Sequence, residues 1–335
     1  MTELAVIVCN NGLGHARRVL SLLELFYKRN GAKIRVNIFV DAAKISYFPS
    51  ALAFFRKNKC KVRFFDIRAR YEGYEKEFIS KYKQHLETSD FIWSDNLIFP
   101  LKYKKEFFLT GSFLWPDAVD NQYSRHEEGI LKGNFPVMIG NKYFAMPKAK
   151  SLTEFIGVGM YEYFSFYLPK RPVQGLLLGC GATDSGRRYF ARFIPRLVKR
   201  LKGLSAAVDI YIEPFFYKEF KACKNVKLAE YLEPMFSKIS ASCIRPGFGS
   251  INDTLLKGSK VFAFFENGNS ELLHNARVLE HLGVGKTCRN PLDSLNQALD
   301  YILDLKAAHA QFSNLKKLEF SGLSQTVSKI KEIIN

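Results

Sequence analysis

The 335-residue chain reads as an α/β protein in two halves, and three stretches of sequence carry that expectation. Near the amino terminus a continuous apolar run, Leu4 to Cys9, meets Asn10-Asn-Gly12-Leu-Gly14-His15-Ala-Arg17-Arg18 and then a helical pattern. In the middle, Gly175-Leu-Leu-Leu-Gly-Cys-Gly181-Ala-Thr183-Asp-Ser185-Gly186 has the same order of apolar run, small-residue turn and helix. A third unit opens at Cys243, turns at Gly247 and Gly249, and continues through a second apolar run, Val261 to Phe265, as far as Gly285. Short apolar runs alternating with helical patterns indicate parallel strands joined by helices.

The remaining elements follow in order. Ala16, Val19, Leu20, Leu23 and Phe26 recur with helical spacing, and Gly31 supplies a stop before the strand Ile34 to Val40. Val62 to Ile67, Phe91 to Asn96, Phe107 to Gly111, Val137 to Ile139 and Phe155 to Gly159 are the further strands of this half, with Asp95 an exposed acid closing its strand. Pro169-Lys-Arg-Pro172 marks a linker, since prolines break both neighbouring elements. Strands are then expected at Ala207 to Ile212, near Lys227 and at Ile239 to Ile244, with helices at Leu292 to Leu305 and Val327 to Ile334. The halves are therefore 1–168 and 173–320, followed by a terminal helical segment, 321–335.

Composition excludes several classes. No run of about 18 apolar residues occurs, so no membrane-spanning helix is expected. The start, Met-Thr-Glu-Leu, lacks the basic region and the cleavage site of a secretion signal, so none is expected. The six cysteines are scattered, which suits reduced residues of a cytoplasmic protein. Zinc-type spacing and an Asp-x-Asp motif are both absent, so neither a metal nor a bound cofactor is expected. The net charge of +18 calls for an anionic partner. Its densest source is Arg187 to Lys202, where Arg188, Arg192, Arg196 and Arg200 share a helical face opposite Phe190, Phe193, Leu197, Val198 and Leu201, with Pro195 inside the span. Lys102 to Phe108 form a further basic and aromatic stretch, and Lys76, Lys81 and Lys83 lie among Tyr74, Phe78 and Tyr82 in an expected helix or loop. Nucleic acid would suit the charge but no reading motif is present. An anionic membrane surface, met peripherally from the cytoplasmic side, or a polyanionic acceptor fits better.

The polar residues indicate the chemistry. Gly247 and Gly249 carry no Cβ, and Ser250 and Asn252 stand where a helix begins; a helix N-terminus with free backbone approach is a place to hold a diphosphate. Asn267, Asn269, Ser270, Glu271, His274 and Asn275 follow the next strand, where ribose and sugar hydroxyls would need partners. In the amino-terminal turn a dinucleotide fingerprint would want a third glycine, but Arg17 stands there, which argues against a nicotinamide cofactor. His15 instead suits a general base, since imidazole titrates near working pH; helix capping is the alternative role.

These motifs resemble those of MurG-like glycosyltransferases of the GT-B type. That family carries an Arg-x-Gly-x-Gly-Ser/Thr-x-x-Glu pattern, matched by Arg245-Pro-Gly247-Phe-Gly249-Ser250-Ile-Asn-Asp253. It also carries Glu-Gln-x-x-Asn-Ala-x-x-Leu-x-x-x-Gly, matched by Glu271-Leu-Leu-His-Asn275-Ala-Arg-Val-Leu279-Glu-His-Leu-Gly283. Asp253 replaces a glutamate and Leu272 a glutamine. The opening Gly12-Leu-Gly14-His15-Ala-Arg-Arg18 is similar to the family's opening motif, and the loop at Gly181 and Thr183 to the first glycine-rich loop of its donor half, a loop that can approach phosphates with backbone N–H groups. The resemblance implies two Rossmann-like domains facing across a cleft, with the last helix bracing the first domain. It implies a nucleotide-sugar donor, UDP-linked by family habit, held by Gly181, Thr183, Arg245, Gly247, Gly249, Ser250, Asp253, Glu271 and Asn275. Gly12, Gly14 and Arg18 would then face the acceptor, and His15 would act as base with Asp95 orienting it or binding acceptor. The implied reaction is metal-independent, inverting transfer to a hydroxyl, with a glycolipid or cell-envelope polysaccharide as acceptor. A nucleotide-sugar hydrolase or epimerase on the same fold, or a non-catalytic nucleotide-sugar or polyanion binder, are the alternatives.

Overall fold

The computed structural model describes residues 1–30, 34–69, 72–118, 121–166, 168, 174–181, 183–204 and 208–335. Gly31, the Pro169–Pro172 linker and Ala207 lie outside the described residues. The chain divides into two compact units: Met1–Gly159 with Ser321–Asn335, and Met160–Phe320.

The first unit is built on seven strands: β1 (Thr2–Val8), β2 (Ile34–Val40), β3 (Val62–Asp66), β4 (Phe91–Asp95), β5 (Phe107–Thr110), β6 (Val137–Asn141) and β7 (Glu154–Val158). Their order in the sheet is β3-β2-β1-β4-β5-β6-β7, and every pairing is parallel. A parallel sheet must cover both faces with helices, which is why the central strand β1 reads as unbroken Leu-Ala-Val-Ile-Val and buries every one of those side chains. The helix Gly14–Asn30 contributes Ala16, Val19, Leu20, Leu23 and Phe26 to the core, as their spacing predicted.

The second unit holds β8 (Gly175–Gly179), β9 (Asp209–Ile212), β10 (Val226–Leu228), β11 (Ala241–Ile244), β12 (Lys260–Ala263) and β13 (Gly285–Thr287). The order is β10-β9-β8-β11-β12-β13, again parallel throughout. Its core gathers Leu176, Leu178, Ile210, Ile212 and Cys243 from the strands with Phe190, Leu197, Leu201, Phe220 and Leu295 from the helices.

Several elements differ from the sequence expectation. The second unit begins at Met160, ahead of the proline linker, because Asn252 grips the backbone there. Its Oδ1 accepts from the Tyr161 N–H at 2.8 Å, and its Nδ2 donates to the Tyr161 carbonyl at 2.7 Å. The span Arg187–Lys202 is two helices, Asp184–Ala191 and Ile194–Lys202, because Pro195 can stand only in a first turn. The continuous arginine stripe is thereby interrupted, although the apolar face still packs inward. The other basic stretches are partly neutralised: Lys102 pairs with Glu75, Lys81 with Glu77 and Lys83 with Glu87, while Tyr74 and Phe78 are core residues. The stretch around Lys76 to Lys83 forms the helix Glu72–Thr88, whereas the helices Leu305–Leu315, capped by the Asp304 carboxylate, and Gln122–Asn134 carry no signal read from the sequence. The last helix, Gly322–Ile334, packs on Gly14–Asn30, where Arg29 Nη2 donates to Ser324 Oγ at 2.9 Å. No helix among the described residues is long and apolar enough to cross a membrane.

Candidate active site

In each sheet the strand order reverses direction once, between β1 and β4 and between β8 and β11. Crevices beyond the carboxyl ends of the strands at such a reversal are where open α/β sheets take ligands. The motifs found in the sequence fall at these two places.

At the first, β1 runs into the turn containing Gly12, whose φ of +85° demands glycine, and then into the helix that begins at Gly14. Val8 and Asp95 are register partners, so the strand ends bring His15 and Asp95 together. His15 Nδ1 lies 3.0 Å from Asp95 Oδ1. Arg18, one turn along the helix, donates from Nε to Asp95 Oδ2 at 3.1 Å and from Nη2 to Oδ1. Asp95 was expected to be exposed; it is fully buried and answered by both neighbours. Burial alone would raise its pKa, but the charges and hydrogen bonds of Arg18 and His15 outweigh it and hold the carboxyl below the usual aspartate value. Nδ1 faces both Asp95 Oδ1 and Arg18 Nη2, the latter at 3.2 Å; in the tautomer with its proton on Nδ1 the ring donates to Asp95 and leaves Nε2 as the acceptor. Phe113, after β5, meets the imidazole edge-on at 6.4 Å between centroids. Arg18, assigned to acceptor by the motif, spends its guanidinium on Asp95 and is 5% exposed. Cys9, just before the turn, is no nucleophile, because burial pushes its thiol up to about 12.

At the second reversal, β11 ends at Ile244 and the helix Phe248–Leu256 starts with Gly247 as its N-cap. Gly247 has no side chain with which to cap that helix. A Cβ added at Gly247 or at Gly249 would meet nothing within 4 Å, and neither residue has a positive φ. Nothing in the chain itself therefore requires glycine at either position. Ser250 stands half-buried in the same first turn, whereas Asp253 is 4% exposed in the body of the helix. Asn275 is buried and donates from Nδ2 to the Pro246 carbonyl at 2.9 Å, so it holds the loop in place. Glu271 lies half-buried in the first turn of the helix Ser270–His281, which Asn269 caps.

The charged groups around this loop are engaged. Arg245 donates from Nε to Glu266 Oε2 at 3.0 Å, from Nη2 to Glu266 Oε1, and from Nη1 to Thr183 Oγ1 at 2.9 Å. Thr183 is in turn the N-cap of Asp184–Ala191. The loop after β8 was expected to offer backbone N–H groups to phosphate. Instead the Cys180 and Gly181 N–H groups both donate to Glu213 at 3.2 Å, as does the Tyr231 hydroxyl at 2.6 Å. Neither Glu213 nor Glu266 was singled out in the sequence. Each closes or follows a strand, and only the register of the sheet shows which cation or amide it reaches. Among the described residues no group of three or more His, Cys, Asp or Glu is placed to hold a metal ion.

No family model matches the chain, and no curated protein does. Solved structures resemble it end to end. The glycotransferase of kitacinnamycin is 13% identical with a TM-score of 0.68, over 100% of this chain and 99% of its own. The calicheamicin glycosyltransferase CalG4 is 13% identical with a TM-score of 0.64, over 99% and 98%. Phytolacca americana UGT2, solved with UDP-2-fluoroglucose and pterostilbene, is 8% identical with a TM-score of 0.68, over 99% of each chain. At such identities the likeness is one of fold. The chain has the GT-B fold of two Rossmann-like domains, the architecture of these glycosyltransferases.

Proposed function

We propose that this protein is a glycosyltransferase that moves a sugar from a nucleoside diphosphate to a hydroxyl. The observation that carries the proposal is the first turn of Phe248–Leu256, two glycines at which an added Cβ would meet no described residue, at a helix N-terminus whose N-cap is itself a glycine. Such a terminus suits a leaving diphosphate, since fixed N–H dipoles act where negative charge develops. UDP-linked donors are the first to try, because a structural neighbour was solved with UDP-2-fluoroglucose; another, SpnG, was solved with thymidine diphosphate.

In this scheme His15 Nε2 takes the acceptor's proton as its oxygen attacks the anomeric carbon. Asp95 fixes the tautomer and stabilises the imidazolium that forms, and Arg18 keeps Asp95 ionised. In-line attack inverts the anomeric configuration. Charge on the departing diphosphate is met by the helix terminus and Arg245, so no metal is assigned a step. The exposed arginines of Ile194–Lys202 favour an acceptor presented at an anionic surface, such as a glycolipid or an envelope polysaccharide.

The test is to incubate the protein with UDP-, GDP-, dTDP- and CMP-sugars, without acceptor, following thermal shift and nucleotide release. Stabilisation by one nucleotide family with release only on adding an alcohol acceptor supports a transferase. Rapid release in water alone makes it a hydrolase. No response to any nucleotide overturns the donor-site assignment.

A further inference from the structure

The anion-binding groups of the second unit divide into two kinds. The helix terminus at Gly247–Ser250 has no side-chain cap. Arg245 beside it has already been given an anion by the protein: Glu266 takes two of its N–H groups in a fork, and Thr183 and Ser185 take others, the latter at 3.3 Å. The pair is not buried beyond reach, since the Arg245 side chain is 10% exposed and that of Glu266 is 25% exposed. Glu266 also stands outside any strand or helix, between β12 and the helix Ser270–His281, where a side chain can swing without unpacking a core. Glu213 makes the contrast: it is held by two backbone N–H groups, the Cys180 thiol and a tyrosine hydroxyl, and among the described residues it has no arginine partner.

Resting on the donor-site reading above, we propose that Glu266 is a built-in stand-in for phosphate. Its carboxylate occupies on Arg245 the place a donor diphosphate takes, so donor binding exchanges one anion for the other. Arginine offers the same planar fork to carboxylate and to phosphate, which makes the exchange stereochemically simple. Before binding, the exchange keeps an uncompensated arginine from facing the site. It also sets a threshold: a ligand must bring enough charge to displace a carboxylate already in register. A diphosphate meets that threshold far better than a monophosphate, and a nucleoside does not engage it at all. The released Glu266 has Ser185 within its own reach, so the carboxylate keeps a hydrogen-bond partner after the exchange.

The experiment is calorimetric titration of wild type and Glu266→Gln with uridine, UMP and UDP, and with thymidine and TDP in parallel. The glutamine keeps the shape and can still accept from Arg245, but it competes as a neutral group. We expect diphosphate affinity to rise about tenfold in Glu266→Gln, with nucleoside affinity unchanged, because one charge-assisted contact no longer has to be displaced. Diphosphate affinity that is unchanged or lower in the variant overturns the proposal and makes Glu266 a support that positions Arg245. Diphosphate binding confined to the variant supports it in the strongest form. If nucleosides bind both proteins and the diphosphate gains nothing, this inference alone fails. If nothing binds either protein, the donor site fails with it. Glu266→Ala provides a second variant, in which a loss of affinity together with a lowered melting temperature identifies a purely structural pair.

Discussion

The two strand-order reversals are built alike and finished differently. At the first, the polar groups are closed on one another: Arg18 and the Nδ1 edge of His15 both face the fully buried Asp95. At the second, the backbone is left open at Gly247 and Gly249, while Arg245 is lent to a carboxylate at its edge. A group that must move a proton needs a fixed direction, which buried partners provide. A surface that must accept and release a large anion needs contacts that can be exchanged. On the function proposed above, the first unit would orient a proton acceptor and the second would exchange ligand.

The largest effect should come from the imidazole. His15→Ala is expected to lower acceptor-dependent nucleotide release by about 10²–10⁴-fold while leaving nucleotide affinity unchanged. Equal losses in both would break the division of labour between the units. Next comes Arg18→Ala, which leaves Asp95 buried with much of its compensation gone. A loss of about 3–5 kcal/mol, seen as early urea unfolding of the first unit, is expected, with thermal stabilisation by nucleotide retained in what remains folded. The third effect depends on pH. Because the folded Asp95 carboxyl lies below its ordinary value, its contribution to stability is fully present above about pH 4 and is lost as pH falls through the lower folded value. Asp95→Asn should therefore flatten the acid limb of the stability–pH curve, and a limb of unchanged steepness would show that Asp95 is not its source. The smallest effect is also the sharpest discriminator. Gly249→Ala adds a Cβ that meets nothing at a helical position, so stability should rise by about 0.4–1 kcal/mol. Nucleotide binding should weaken at the same time. A gain in both would mean that the open backbone is not where the diphosphate lies.

Much of this arrangement was legible in the sequence. The apolar runs at Leu4 and Gly175 and the glycine corners after them located both reversals, because buried parallel strands cannot alternate with polar residues. His15 and Gly249 were legible for the same reason, as residues flanking a turn whose chemistry is local. Asp95 was placed correctly at a strand end but expected in solvent; its burial depends on Arg18, and that pairing spans the register of β1 and β4. The carboxylates Glu213 and Glu266 were invisible because each meets its partner across neighbouring strands. Asn275, read as a ligand contact, proved to hold the Pro246 carbonyl, which no spacing reveals. The break in the basic span is readable from Pro195, which is tolerated only in a helix's first turn.

The first unit is discontinuous: its sheet comes from residues 1–159, and one of its packed helices comes from the segment 321–335. In a chain made from its amino terminus, the unit that carries His15 is begun first and finished last, after the whole of the second unit has been made. Until Val327 and Ile330 arrive, the outer face of Gly14–Asn30 has no cover and the loop to be closed is long. Completion of the unit that carries His15 is therefore timed by synthesis of the unit that carries Gly247, so a chain that stalls before residue 321 has a complete second unit and an unfinished first one.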